Sequence, residues 1–289
     1  MRISTEIDSV AHHVGEARAL PLIAAAGFDA YDLSMFSMAR YDHVNRAMVP
    51  TDHPLSGPNY AAFVKELAHI ARECGIVCNQ SHAPFPSYAE GIKPYLLRAI
   101  ECTAIVGGDV CVIHPDNYKS PEENAEMYLE LLPFAKECGV RIATENMWNW
   151  DKEKLEALPA ACSHHENFLK HITLVNDPYF VACLDIGHAE MRGLSTTSGE
   201  MIRTLGPHLA ALHVHDNDLH HDSHAIPFSM QIDFDAVATA LAEIGYAGDM
   251  TLESVRHLKS FTADTVSEGL SQMAAAARRL ADMVEARRR

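Results

Sequence analysis

Positive charge is what this sequence has least of: 23 Lys and Arg stand against 39 Asp and Glu, for a formal net charge of −16. A chain that grips phosphate backbones or anionic bilayers needs the reverse balance, so neither nucleic acid nor a membrane is an expected partner. No apolar run is long enough to span a bilayer, and Met1-Arg2-Ile3-Ser4 enters a strand-like stretch at once, without a leader pattern. Cys-x-x-Cys pairs are absent. The seven cysteines (74, 78, 102, 111, 138, 162 and 183) are scattered, several inside apolar runs. That argues against a disulfide framework and fits reduced core thiols in a cytoplasmic protein. Asn79-Gln80-Ser81 has the form of a glycosylation sequon but falls in a buried-strand pattern, where it carries no such meaning.

What the chain does have is apolar residue, 48% of 289, enough for a large core. Val181-Ala182-Cys183-Leu184 reads as a fully buried parallel strand and stops abruptly at Asp185, followed by Ile186-Gly187-His188. A carboxylate there has no solvated face, and burying it alone is expensive, so a cation is expected beside it. Five other runs end alike, at His82, His114, Glu145, His213 and Glu253. Successive endings lie 28 to 40 residues apart, near the roughly 30 residues of one βα unit in a (β/α)8 barrel. In that fold the active site is built at the C-terminal ends of different strands. The spacing predicts an α/β chain: a single TIM barrel domain over 1–289, with parallel strands and its active site at the C-terminal strand ends.

Glycines mark the repeat. Gly27, Gly75, Gly139 and Gly245 each close a helical pattern before a strand, and Val106-Gly107-Gly108 forms a fifth such stop. Strands are expected near 2–5, 29–34, 76–82, 109–114, 140–145, 181–185, 210–215 and 249–253. Helices are expected near 15–26, 58–74, 87–106, 121–138, 163–175, 198–205, 233–244 and 262–285. Ser120-Pro121-Glu122-Glu123 has the form of a capped helix start. The longer connections, 35–57 and 216–232, are expected to be lids or binding loops. Arg287-Arg288-Arg289 is expected to be a solvated helix end, and His12, His13, His164, His165, His220 and His221 solvated surface residues.

Glu145, Asp185, His213 and Glu253 together offer three carboxylates and one imidazole. That oxygen-rich set suits one divalent ion: Mn²⁺, Mg²⁺ or Co²⁺, with Zn²⁺ also compatible. Asp185-Ile186-Gly187-His188, His213-Val214-His215-Asp216 and Thr251-Leu252-Glu253-Ser254 resemble the sugar phosphate isomerase/epimerase family of xylose isomerase-like barrels. The likeness runs from Gly27-Phe28-Asp29-Ala30-Tyr31-Asp32 to Glu253. It implies that Glu145, Asp185, His213 and Glu253 hold the metal, with Glu145 and Glu253 also the catalytic acid/base pair. It implies a sugar, sugar phosphate or polyol-ketone substrate, isomerised or epimerised through a metal-stabilised enediolate. His188 would hold a substrate oxygen; His82, His114, His224 and Asp222 are further substrate contacts, and Trp148 an apolar wall for a sugar face. Asp32 is a candidate to orient a ligand. The family's epimerases carry an arginine six residues after the metal histidine, where this chain has Leu219.

An inosose-type dehydratase on the same site is the alternative, and a catalytically silent sugar-binding barrel is a third class. A fourth comes from endonuclease IV, whose nine ligands to three zinc ions are matched in order by His82, His114, Glu145, Asp185, His188, His213, Asp222, His224 and Glu253. The scarcity of Lys and Arg after the strands argues against DNA. Homo-oligomerisation is left open.

Overall fold

A computed structural model describes residues 1–288. Eight strands form one parallel sheet: β1 (Ile3–Glu6), β2 (Ala30–Ser34), β3 (Val77–His82), β4 (Val110–Val112), β5 (Arg141–Glu145), β6 (Phe180–Asp185), β7 (Leu209–His213) and β8 (Met250–Leu252). Each pairs with its sequence neighbour, and β1 also pairs with β8. A parallel bridge between Val214 and Leu252 closes the ring; the Val214 amide donates to the Thr251 carbonyl at 2.9 Å. The result is a single (β/α)8 barrel, as the spacing of strand endings predicts.

Inside the barrel, Val110, Val112, Ala143, Val181, Cys183 and Ala211 form a compact apolar plug of small side chains. Next to it lies a polar contact chain, with Ser4 Oγ donating to Asn79 Oδ1 at 2.7 Å and Asn79 Nδ2 donating to Thr251 Oγ1 at 2.9 Å. The larger core sits between sheet and helices. Fully buried Leu184 and Leu212 belong to it, and each such side chain contributes about 1.5–3 kcal/mol. All seven cysteines are free, and among the described residues no helix is long and apolar enough to cross a membrane.

Helix boundaries follow local chemistry. The helix Pro121–Cys138 begins in a full capping box between Ser120 and Glu123 and ends at Gly139 with φ 71°. The helix expected over 15–26 is Glu16–Ala25; a further, unexpected helix, Asp8–Val14, precedes it, separated from it by Gly15 with φ 79°. The helix expected from 87 starts at Lys93. Pro84 and Pro86 lie in the loop before it, where missing amide donors cost nothing. The C-terminal arginines are not simply solvated: Arg287 pairs with Asp235 and Arg288 with Glu285 at 2.8 Å. Arg289 lies outside the described residues.

Two hairpins rise from the rim at the C-terminal ends of the strands. One, Ala39–Asp42 with Ala47–Pro50, occupies the expected long connection after β2. The other, Trp148–Asp151 with Glu156–Pro159, follows β5, a connection whose length the sequence reading passes over. They share a device. Asp42 Oδ1 accepts the amides of Val44 (2.9 Å) and Asn45 (3.2 Å), and Asp151 Oδ1 those of Glu153 (2.8 Å) and Lys154 (3.1 Å). Arg46 and Leu155 then turn the chain at φ 55°.

Candidate functional site

Glu145, Asp185 and His213 are the last residues of β5, β6 and β7, and Glu253 directly follows β8. Barrel closure brings their four ligand atoms within 4.8 Å of one another, all on buried residues. Glu145 Oε2 and Asp185 Oδ2 are buried without a hydrogen bond, an arrangement that is costly unless a cation completes it. His213 is oriented for that role. Its Nε2 faces Asp32 Oδ2 at 3.3 Å, so Asp32 can take the Nε2 proton and leave the Nδ1 lone pair toward Glu145 Oε1 at 3.0 Å. Gln80 Nε2 donates to the same Asp32 oxygen at 3.0 Å. Oxygen-rich and buried, the set fits a divalent ion.

The electrostatics divide the two glutamates. Burial pushes Glu145 up, but His213, His114 and His82 overcome it and hold its carboxyl well below the usual range. Glu253 is raised, chiefly by burial, with Glu145 and Asp185 adding to it against His213 and His224. A bound cation would draw both downward.

Two further groups flank this centre. His82 and His114 face each other, Nε2 to Nε2 at 2.9 Å, and Glu145 Oε2 lies 3.5 and 3.2 Å from them. His82 Nδ1 lies 2.8 Å from the Ala83 carbonyl and donates to it, and the two facing Nε2 atoms share one hydrogen bond. Burial and the neighbouring His82 push His114 down to about 4. On the other side, ligand atoms of His188, His215, Asp222 and His224 also lie within 4.8 Å of one another. His188 Nδ1 faces the Asn146 carbonyl at 2.9 Å, which leaves Nε2 toward Asp222 Oδ2 at 3.6 Å. His224 Nδ1 lies 2.8 Å from the Glu253 carbonyl; burial opposes its charge, yet Asp222 and Glu253 raise it to about 9.

His215 escaped the sequence reading. Its Nε2, buried and without a hydrogen bond, stands 3.1 Å from Asp185 Oδ1 and 3.4 Å from Asp222 Oδ1. The signal was present: His213 and His215 are two apart at a strand end, and strand side chains repeat every second residue.

His82, His114, Glu145, His188, Asp222 and Glu253 line a cavity of about 340 Å³ walled by Phe36, Phe85, Met147, Trp148 and Val255. Trp148 stands on the wall, 6.3 Å from the His188 ring. Met35 and Met38 are core residues, whereas Phe36 reaches the cavity. No Lys or Arg lines it among the described residues. At Leu219 (φ 62°) the carbonyl accepts the Arg192 amide at 2.9 Å and the side chain packs on the core. His220 and His221 are not simply solvated, since both rings pack on Trp150, at 5.4 and 5.9 Å. His164 caps a helix, accepting the Glu166 amide at 3.4 Å.

Comparison with known proteins agrees with this architecture. An uncharacterized protein of Methanocaldococcus jannaschii is 28% identical over 191 residues, 60% of this chain and 63% of that protein. The crystal structure of a D-tagatose 3-epimerase-like protein superposes with a TM-score of 0.70 at 19% identity, over 99% of both chains. D-psicose 3-epimerase from Clostridium cellulolyticum H10 superposes with a TM-score of 0.69 at 17% identity, over 98% of this chain and 99% of that one. At such identities the likeness shows the fold. The family described as xylose isomerase-like TIM barrel matches residues 20–283, and the chain belongs to it.

Proposed function

We propose that this protein is a divalent-metal-dependent isomerase or epimerase of a small polyhydroxy ketone or aldehyde. The observation that carries the reading is the buried Glu145–Asp185–His213–Glu253 set, two of whose carboxylate oxygens lack hydrogen bonds and two of whose members, Glu145 and Glu253, line the cavity. The epimerases among the structural neighbours point the same way. These four residues would hold the ion, which when bound polarises a carbonyl and acidifies the neighbouring C–H. Glu145 and Glu253, the two members of the set that line the cavity, are a carboxylate pair suited to removing and returning a carbon-bound proton. His188 directs Nε2 toward the cavity side, where it would bind a substrate hydroxyl, and Trp148 gives a sugar ring an apolar face. Apolar walls exclude water while the proton is held.

The test is hydrogen exchange. Metal-loaded protein incubated in D₂O with ketoses, ketose phosphates, hydroxypyruvate and inososes should place deuterium next to the carbonyl of at least one compound. Glu145→Gln and Glu253→Gln should each suppress the exchange with metal content verified. Net loss of water would instead establish the dehydratase.

A second reading is favoured by one observation: all nine residues matched to the three-zinc nucleases fall within clusters, in each of which the ligand atoms lie within 4.8 Å of one another. The cavity's lack of Lys and Arg weighs against a DNA substrate. Elemental analysis decides, since three zinc ions per chain with Glu253-dependent cleavage of abasic DNA would replace the isomerase.

A further inference from the structure

Beyond Phe36 and Val255, on the catalytic face, a second cavity of about 740 Å³ opens between the helix after β1 and the segment after β8. It shares those two side chains with the reaction cavity, so the two spaces meet along one wall. Its remaining lining is Asp8, Ser9, His12, His13 and Lys259.

We propose that this cavity is a subsite for a second, hydroxyl-rich ring, so that the substrate is a glycosylated ketose or related conjugate rather than a free monosaccharide. The proposal rests on the isomerase reading for the identity of the reacting end. Size supports it: the smaller cavity contains the acid/base residues, and the larger one has no such set. Lining chemistry supports it further. Asp8 lies among the histidines and Lys259, so the charges oppose one another and do not form a clamp for a phosphate or carboxylate. His12 and Lys259 offer donors and Asp8 an acceptor, while Phe36 adds an aromatic wall, the combination by which hydroxylated rings are held. His13 Nε2 is already engaged with the Leu258 carbonyl at 3.1 Å, which fixes the floor.

The experiment uses Mn²⁺-loaded full-length protein and three probes: fructose, fructose 6-phosphate and isomaltulose, a fructose whose terminal hydroxyl carries a glucosyl group. Calorimetric titration should show isomaltulose binding at least about 10-fold tighter than fructose. His12→Trp, which fills the cavity from an exposed position, should lower the isomaltulose-to-fructose affinity ratio at least about 10-fold. Lys259→Ala should lower it several-fold, and provides a second readout should the tryptophan variant fold poorly. Equal or weaker binding of isomaltulose, tighter binding of fructose 6-phosphate, or a ratio unmoved by both variants would overturn the proposal. Absence of deuterium exchange with variant-sensitive isomaltulose binding intact would sink the isomerase reading and leave the subsite standing.

Discussion

Gly187 and His215 occupy one space: a Cβ built on Gly187 would fall 1.9 Å from Cε1 of the His215 ring. The glycine is therefore there for close approach. Its backbone conformation does not demand it, because Gly187 is absent from the positive-φ residues. The bare backbone lets the imidazole lie between Asp185 and Asp222, stacked on His224 with ring centroids 4.0 Å apart. Asn217 Nδ2 secures the same turn by donating to the Gly187 carbonyl at 2.8 Å.

Gly187→Ala should thus destabilise the fold by about 1–3 kcal/mol, the usual cost of overpacking. In a His215→Ala background the same change should cost much less, because the obstructing ring is gone. Urea unfolding of the four proteins in this cycle measures the coupling. Additive losses would mean that the ring is not what requires the glycine.

His188→Ala should lower kcat/KM by roughly 10–100-fold, the loss of one charge-assisted hydrogen bond to substrate. One metal ion per chain at the Glu145–Asp185–His213–Glu253 set should be retained. Loss of that ion in the variant would make His188 a ligand in its own right.

Glu6 supplies a pH prediction from a carboxyl outside the metal set. Burial raises its carboxyl to about 8, against the hydrogen bonds from the Ser9 hydroxyl and amide, with Asp8 and Glu253 adding to the rise. The folded state then holds a proton that the unfolded state has released. The stability tied to that proton is complete below about pH 4.5 and is lost as pH climbs to about 8. Glu6→Gln keeps an acceptor for the Ser9 amide but cannot ionise. Relative to the variant, the native protein should lose stability at up to about 1.4 kcal/mol per pH unit across that window. Chemical denaturation at about pH 5 and about pH 8 checks it, and parallel curves would disprove the assignment.

Much of the architecture was legible in the chain because strand endings and helix stops are local signals. Short apolar runs ending at His82, His114, Glu145, Asp185, His213 and Glu253 recur at a βα period, and a residue at a parallel strand's C-terminal end has one place to go in a closed barrel. Gly139 and the Ser120–Glu123 box set their helix limits through contacts within a few residues. The helix Asp8–Val14 is the counterexample, since it starts after Ile7 without a side-chain cap and no local signal announces it. The hairpins were missed for another reason. Alternation over four residues is too short to separate from loop composition, and both hairpins follow strands whose next helix dominates the pattern.

Only the closed barrel decided which of the matched residues touch. Asp32 and His213 are 181 positions apart, and nothing local says that one carboxylate will fix the other's ring tautomer. The turn at Gly187 lets His215 lie between two acids far apart in the chain, Asp185 at a strand end and Asp222 in a loop. The second cavity likewise exists because β8 returns beside β1, bringing Val255 and Lys259 against the helix that carries His12 and His13. Composition and period determine an element and its end; which ends share a site depends on the order in which the sheet closes, a long-range property that one strand does not encode.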